Sequence, residues 1–239
     1  MKRQKLLTAA LAAVLLAFAA PAANASSLCT GTLDTLIAAG SCQVGDLLFS
    51  GITYTGTATP AGLALPASAF AVSPITTPGN EGLYFSTGMS VETQLNGASS
   101  FQDAVISFVV TDLSGAFLDG VNLGFNGNWT GTGITNISEN YCLGAATVVG
   151  CSAANAGQAK VHNPPQDFND NLDFPHLTSQ VAILKDVNVT SGISGTAALS
   201  SFDQTFSTVP EPSSVMLIGT GLCLCCFVVR NRRRRRQKN

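Results

Sequence analysis

Apolar residues in the last third of the chain recur at every second position. Val181, Ile183, Val187 and Val189 fall on one side of an extended segment, with Ala182, Leu184, Asp186 and Asn188 on the other. Period two marks a strand with one face buried, because successive side chains of extended chain point to opposite sides. The pattern returns elsewhere. Phe117, Val121, Leu123 and Phe125 share a face with Asp119 as the exception, Phe202 and Phe206 share another, and Ala104 to Val110 is an apolar run suited to a central strand. Leu47 to Tyr54, Phe70 to Ile75, Gly82 to Phe85 and Ile134 to Tyr141 are weaker strand candidates, separated by Gly, Pro, Asn and Ser. About eight to ten strands of this kind predict an all-β domain, a β-sandwich or jelly roll. One short N-terminal helix is expected within Thr30 to Gly40. Thr32 suits the N-cap, Leu33, Leu36 and Ile37 share a face, and Gly40 suits the C-terminal stop.

The two ends decide where such a domain would work. Lys2, Arg3 and Lys5 precede an uncharged apolar run from Leu6 to Ala20; Pro21 and the small residues Ala23 and Ala25 follow. That order describes a secretory signal peptide over residues 1–25, cut by signal peptidase between Ala25 and Ser26. At the other end stand Pro210-Glu211-Pro212, an apolar run to Val229, and a basic tail holding Arg230, Arg232, Arg233, Arg234, Arg235 and Arg236. A transmembrane helix over about 213–229 would be short, since 15 to 17 residues span roughly 22–26 Å of a core about 30 Å thick. The arginines oppose translocation and would hold the tail on the cytoplasmic side of the inner membrane. Residues 26–208 then form an outward-facing ectodomain, and Thr205 to Ser213 reads as a linker to the membrane.

The triplet, short apolar segment and arginine cluster together resemble the PEP-CTERM sorting domain of Gram-negative bacteria that make extracellular polysaccharide. The resemblance covers Val209 to about Lys238, roughly the last 30 residues. It implies recognition and cleavage near the triplet by an exosortase, with transient anchoring in the inner membrane and release or display at the cell surface. The ectodomain is also similar to one recurring group of PEP-CTERM proteins, through Gly40-Ser41-Cys42-Gln43-Val44-Gly45-Asp46 with Phe49 following, and through Leu184-Lys185-Asp186-Val187. From this follows the expectation of a non-enzymatic surface or matrix protein linked to exopolysaccharide or biofilm. A carbohydrate- or calcium-binding adhesive module and a secreted hydrolase are the alternatives.

Charge narrows the partners. The ectodomain keeps only Lys160 and Lys185 against 13 carboxylates, a net charge of −11. A surface this poor in cations has no footprint for nucleic acid. Four ectodomain cysteines in an exported chain read as disulfides; Cys29 with Cys42 and Cys142 with Cys151 close the small loops and are the expected pairs. No cofactor is expected, except that Asp167, Asn169, Asn171 and Asp173 place oxygens at alternate positions. That spacing resembles the first half of a calcium loop, although Leu172 stands where a glycine is needed. No nucleophile-elbow pattern occurs, and nothing selects a catalytic pair among the carboxylates. Trp129, the one tryptophan, is a candidate for stacking on a sugar ring if it is exposed.

Overall fold

The structure, a computed structural model, describes residues 28–209 and 220–221. The expected signal peptide, its cleavage point at Ala25 and Ser26, the sorting residues Pro210 to Arg236 and the apolar segment near 213–229 lie outside the described residues. Among the described residues no helix is long and apolar enough to cross a membrane.

Among the described residues twelve strands form two six-stranded antiparallel sheets. They are β1 (Gly31–Thr32), β2 (Ser41–Val44), β3 (Leu47–Thr59), β4 (Ala71–Thr77), β5 (Asn80–Glu92), β6 (Phe101–Asp112), β7 (Phe117–Gly131), β8 (Ile134–Leu143), β9 (Ala156–Asn163), β10 (Asn169–Thr178), β11 (Gln180–Thr190) and β12 (Gly195–Val209). Sheet A runs β2-β3-β6-β11-β8-β9, and sheet B runs β1-β4-β5-β12-β7-β10. The all-β sandwich expected from the alternation is present. The inner side chains of both sheets form one core cluster: Phe49 of sheet A lies with its ring centroid 5.9 Å from Phe108 and 6.2 Å from Phe206 of sheet B. Phe85 and Phe202, cross-strand partners in sheet B, stack at 4.6 Å. Burying such rings contributes about 1.5–3 kcal/mol each.

The helix α1 (Leu33–Ala39) sits inside the expected span. Thr32 caps its start in extended conformation, with its amide donating to Thr35 Oγ1 at 3.1 Å. Gly40 ends it at φ 77°, in the left-handed region that costs a glycine nothing, and donates its amide to the Leu36 and Ile37 carbonyls. The Cys29–Cys42 disulfide ties this helix to β2, and Cys142–Cys151 closes the β8–β9 loop. Both are the local pairs.

Three expectations are corrected. Thr205 to Val209 is not linker: it completes β12, with Thr205 and Phe206 buried and Val209 paired to Phe117. The register slips near the start of β7, where Gly120 faces Ser207 but Leu118 faces Thr208. This bulge turns Leu118 into the core and leaves Phe117 half-buried, so Phe117 does not share the face of Val121. And residues 167–173 do not form a loop. Asp167 lies at the corner where β9 of sheet A hands over to β10 of sheet B, exchanging two backbone hydrogen bonds of 2.9 Å with His162. Asn169, Asn171 and Asp173 are strand residues on β10. Alternating polar residues suit an edge strand as well as a metal loop, and period two alone does not separate them.

Candidate ligand-binding face

Register brings three rows of polar residues together on the outer side of sheet B. Going from β5 through β12 and β7 to β10, the first row is Asn80, Ser207, Gly120 and Asp173. The second is Gly82, Thr205, Asn122 and Asn171, and the third is Tyr84, Asp203, Gly124 and Asn169. Their strand neighbours Leu83, Phe85, Phe202, Phe206, Val121 and Leu123 point inward and are buried, so alternation forces these twelve positions outward. None of the twelve is aliphatic and none is cationic.

Glycine makes the floor of this face flat. A Cβ at Gly124 would lie 2.7 Å from Asp203 Oδ1 and 3.1 Å from Asn169 Oδ1, so the two side chains lean over that glycine from either side. A Cβ at Gly120 would meet Ser207 Oγ and the Leu172 carbonyl, each at 2.8 Å. A cavity of about 160 Å³ opens at this end, lined by Asn80, Asn122, Asn171, Asp173 and Ser207 among others. Thr205, 4 % exposed, has no hydrogen-bond partner for its hydroxyl, and Asn122 Oδ1 is buried without one. Asp203 is half-buried, and burial raises its pKa above the usual carboxylate value; the Lys185 charge beneath opposes that rise.

Lys185 belongs to a second cluster, inside the sandwich. It and Glu139 are direct cross-strand partners of β11 and β8, both fully buried and joined as an ion pair. Gln204 on β12 donates from Nε2 to Glu139 Oε1 at 2.7 Å, linking the two sheets. The Lys185 ammonium also lies 5.7 Å from the centroid of the Phe202 ring. Burial pushes the Glu139 pKa up and the Lys185 pKa down, and each charge opposes the shift of the other. Sequence reading passed over this cluster. The signal was available, since residue 185 falls between Ile183 and Val187 on the inward register, and residue 139 between Ile137 and Tyr141.

Of the four residues considered as calcium ligands, three stand on the outer face and Asp167 stands apart at the corner. From Asn169 to Asp173 the strand advances roughly 13 Å, so they are spread along the face and not gathered at one point. Among the described residues no group of three or more His, Cys, Asp or Glu side chains comes together. Trp129 lies on β7 beside Ala197, whose side chain is in the core, and is itself only partly exposed. It does not belong to the polar face.

Residues 208–235 match the PEP-CTERM protein-sorting motif. No curated protein matches the chain. Among solved structures, TmCBM61 in complex with beta-1,4-galactotriose is 12% identical, with a TM-score of 0.27 over 65% of this chain and 88% of that one. The family 11 carbohydrate-binding module from Clostridium thermocellum is 9% identical at a TM-score of 0.24, covering 78% and 99%. Endoglucanase 3 of Trichoderma harzianum, from family GH12, is 10% identical at 0.22, covering 69% and 96%. Likenesses of this strength carry no argument about ligand or activity.

Proposed function

We propose, from the premise that the chain carries a PEP-CTERM sorting motif, that it is a non-enzymatic β-sandwich protein displayed at the cell surface or in the extracellular matrix, where it meets extracellular polysaccharide. The motif itself implies export and a surface or extracellular location. The observation that carries the rest is the polar face of sheet B. Its groups are laid out in cross-strand rows over glycine, as a surface for contact, and do not converge on one reacting atom. A role in display also suits the way the sandwich ends. Val209 is still paired in β12 and Pro210 follows at once, so cleavage near the triplet would leave every strand in place.

Sorting is tested by intact mass of the surface form in a host with its exosortase and in an exosortase-deleted strain. The expected product lacks Arg230 to Asn239 only in the first. Changing Pro210-Glu211-Pro212 to alanines should block cleavage, and neutralising Arg232 to Arg236 should weaken membrane retention and lower cleavage. The same uncut chain in both strains would overturn the sorting reading.

A further inference from the structure

We infer that the outer face of sheet B binds a neutral glycan chain directly, through its own hydrogen-bonding groups and without a bridging cation. This rests on the display reading for where the ligand is met, and on the geometry of the face for what the ligand is.

The chemistry of the face suits a polyhydroxylated ligand. Asn122, Asn169 and Asn171 can both donate and accept, Asp203 accepts, and the Thr205 and Ser207 hydroxyls do either. Sugar hydroxyls have the same double capacity, so each can serve as partner to any of these groups. Thr205 and Asn122 each hold a buried oxygen without a partner. Such a group costs stability until something bonds to it; both oxygens are covered as the face stands, and a small turn of the half-buried Asn122 side chain would bring its oxygen to a ligand hydroxyl. The glycines at 120 and 124 carry no side chain of their own, so Ser207, Asp203 and Asn169 fold over them and present their oxygens low on the sheet, where a ring lying on the face meets them. Tyr84, 39 % exposed and in register with Asp203, supplies an aromatic wall beside them for the apolar side of a sugar ring.

Charge selects among glycans. Of the two ectodomain lysines, Lys185 is buried against Glu139 inside the sandwich, and Lys160 is on β9 of sheet A. The face therefore offers no cation to a uronic-acid polymer, and Asp173 and Asp203 repel one. A bridging ion does not remedy this. The two aspartates are separated by two strand positions across the sheet and by two rows along it, roughly 15 Å in backbone terms. One calcium ion with ligands at about 2.3–2.6 Å cannot hold both. Each carboxylate acts by itself, as an acceptor for hydroxyls.

The test is native affinity electrophoresis of the detergent-solubilised full chain. Gels contain dextran, hydroxyethyl cellulose or galactomannan as neutral polymers, and alginate or polygalacturonate as acidic ones, each with and without EDTA. At least one neutral polymer should retard the wild type, with EDTA making no difference. The double variant N122A/D203A should weaken that retardation about tenfold or more, the loss expected for two hydrogen bonds, one to a charged group. Gly124→Ala should weaken it too, by placing a methyl group between Asp203 and Asn169; thermal melts confirm that each variant is folded. Asp203→Asn should retain most binding, because the amide oxygen still accepts. The arginine tail binds polyanions by itself, so the readout for acidic polymers is the difference between wild type and face variants, expected to be nil. The inference is overturned if no neutral polymer retards the chain, if the folded variants bind like wild type, if EDTA abolishes binding, or if the variants lose retardation by an acidic polymer. None of these substitutions touches residues 208–235, so failure here leaves the sorting result standing.

Discussion

On the outer face of sheet A, Thr53 bonds Ser107 at 2.6 Å, Gln158 bonds Asn140 at 3.1 Å, and Thr57 donates to Asp103 at 3.4 Å. On the outer face of sheet B, Thr205 and Asn122 face each other across adjacent strands and their buried oxygens stay unpaired. The residue types are similar, but the arrangement is not. Sheet A keeps β-branched and long side chains that reach across to each other, as cross-strand pairs do in an ordinary solvated sheet. Sheet B interleaves its polar residues with glycine, which supplies no partner. Sheet A is not wholly satisfied, since His162 Nδ1 beside Asn136 is buried without a partner, but on sheet B the unpaired oxygens lie together in the middle row of the face.

Both faces rest on one interior, so the largest expected effect is one that does not discriminate between them. Glu139→Gln leaves the Lys185 charge buried and unpaired, and Lys185→Met does the same to Glu139. Each should destabilise by about 3–5 kcal/mol, in one cooperative transition that takes both sheets down together. The double variant E139Q/K185M removes both charges and keeps an oxygen for Gln204, and should recover most of that loss. Urea melts of the four proteins provide the check. A double variant no better than either single one would mean that the pair is not the electrostatic unit described here.

The next effect separates two glycines of the same face. A Cβ at Gly82 would lie 1.9 Å from the Gln204 carbonyl, which is backbone and cannot swing aside. Gly82→Ala should therefore cost about 1–3 kcal/mol of stability. At Gly124 the near atoms are the ends of Asp203 and Asn169, which can move, so Gly124→Ala should stay within about 0.5 kcal/mol of wild type in stability while lowering glycan binding. If the two variants melt alike, the distinction between a glycine needed by the fold and one needed by the ligand is lost.

How much of this was legible beforehand follows from what alternation reports. It finds the buried side of a strand, and so the inner faces of β6, β11 and β12 and the sandwich itself could be read from Ala104 to Val110, Val181 to Val189, and Phe202 with Phe206. The cap at Thr32 and the stop at Gly40 were legible because they depend on neighbours in sequence. Lys185 was missed because a charge on the inward register runs against the expected pattern, and only its partner at 139, 46 residues away in sequence, explains it. The polar face was missed for a related reason. Its twelve residues come from four separate strands, and only the register of β5, β12, β7 and β10 makes them neighbours. Asn169, Asn171 and Asp173 drew attention as a local motif, but the residues that complete their surroundings are Asn122, Asp203 and Thr205.

The smallest expected effect belongs to sheet A and has a definite sign. The Asp186 pKa is raised from 3.8 to about 6, first by burial and then by its hydrogen bond to Asp103 and the charge of that carboxylate. A carboxyl whose folded pKa lies above its unfolded value binds its proton more tightly when folded. Protonation therefore favours the fold: the contribution grows as pH falls from about 6 toward 4 and is lost as pH rises through 6. Above that range Asp186 carries its charge beside the Asp103 carboxyl, which disfavours the fold. Asp186→Asn replaces that repulsion with an amide that can donate to Asp103 at every pH. It should raise the melting temperature at pH 7.5, and the gain should vanish near pH 4.5, where the wild-type carboxyl already carries its proton. Asp186 is only partly covered and keeps contact with solvent, so screening keeps the gain to under about 1 kcal/mol. Melts of both proteins across this range give the answer. An equal shift at both ends would mean that Asp186 does not hold its proton more tightly in the folded chain, and that the gain comes from something other than its charge.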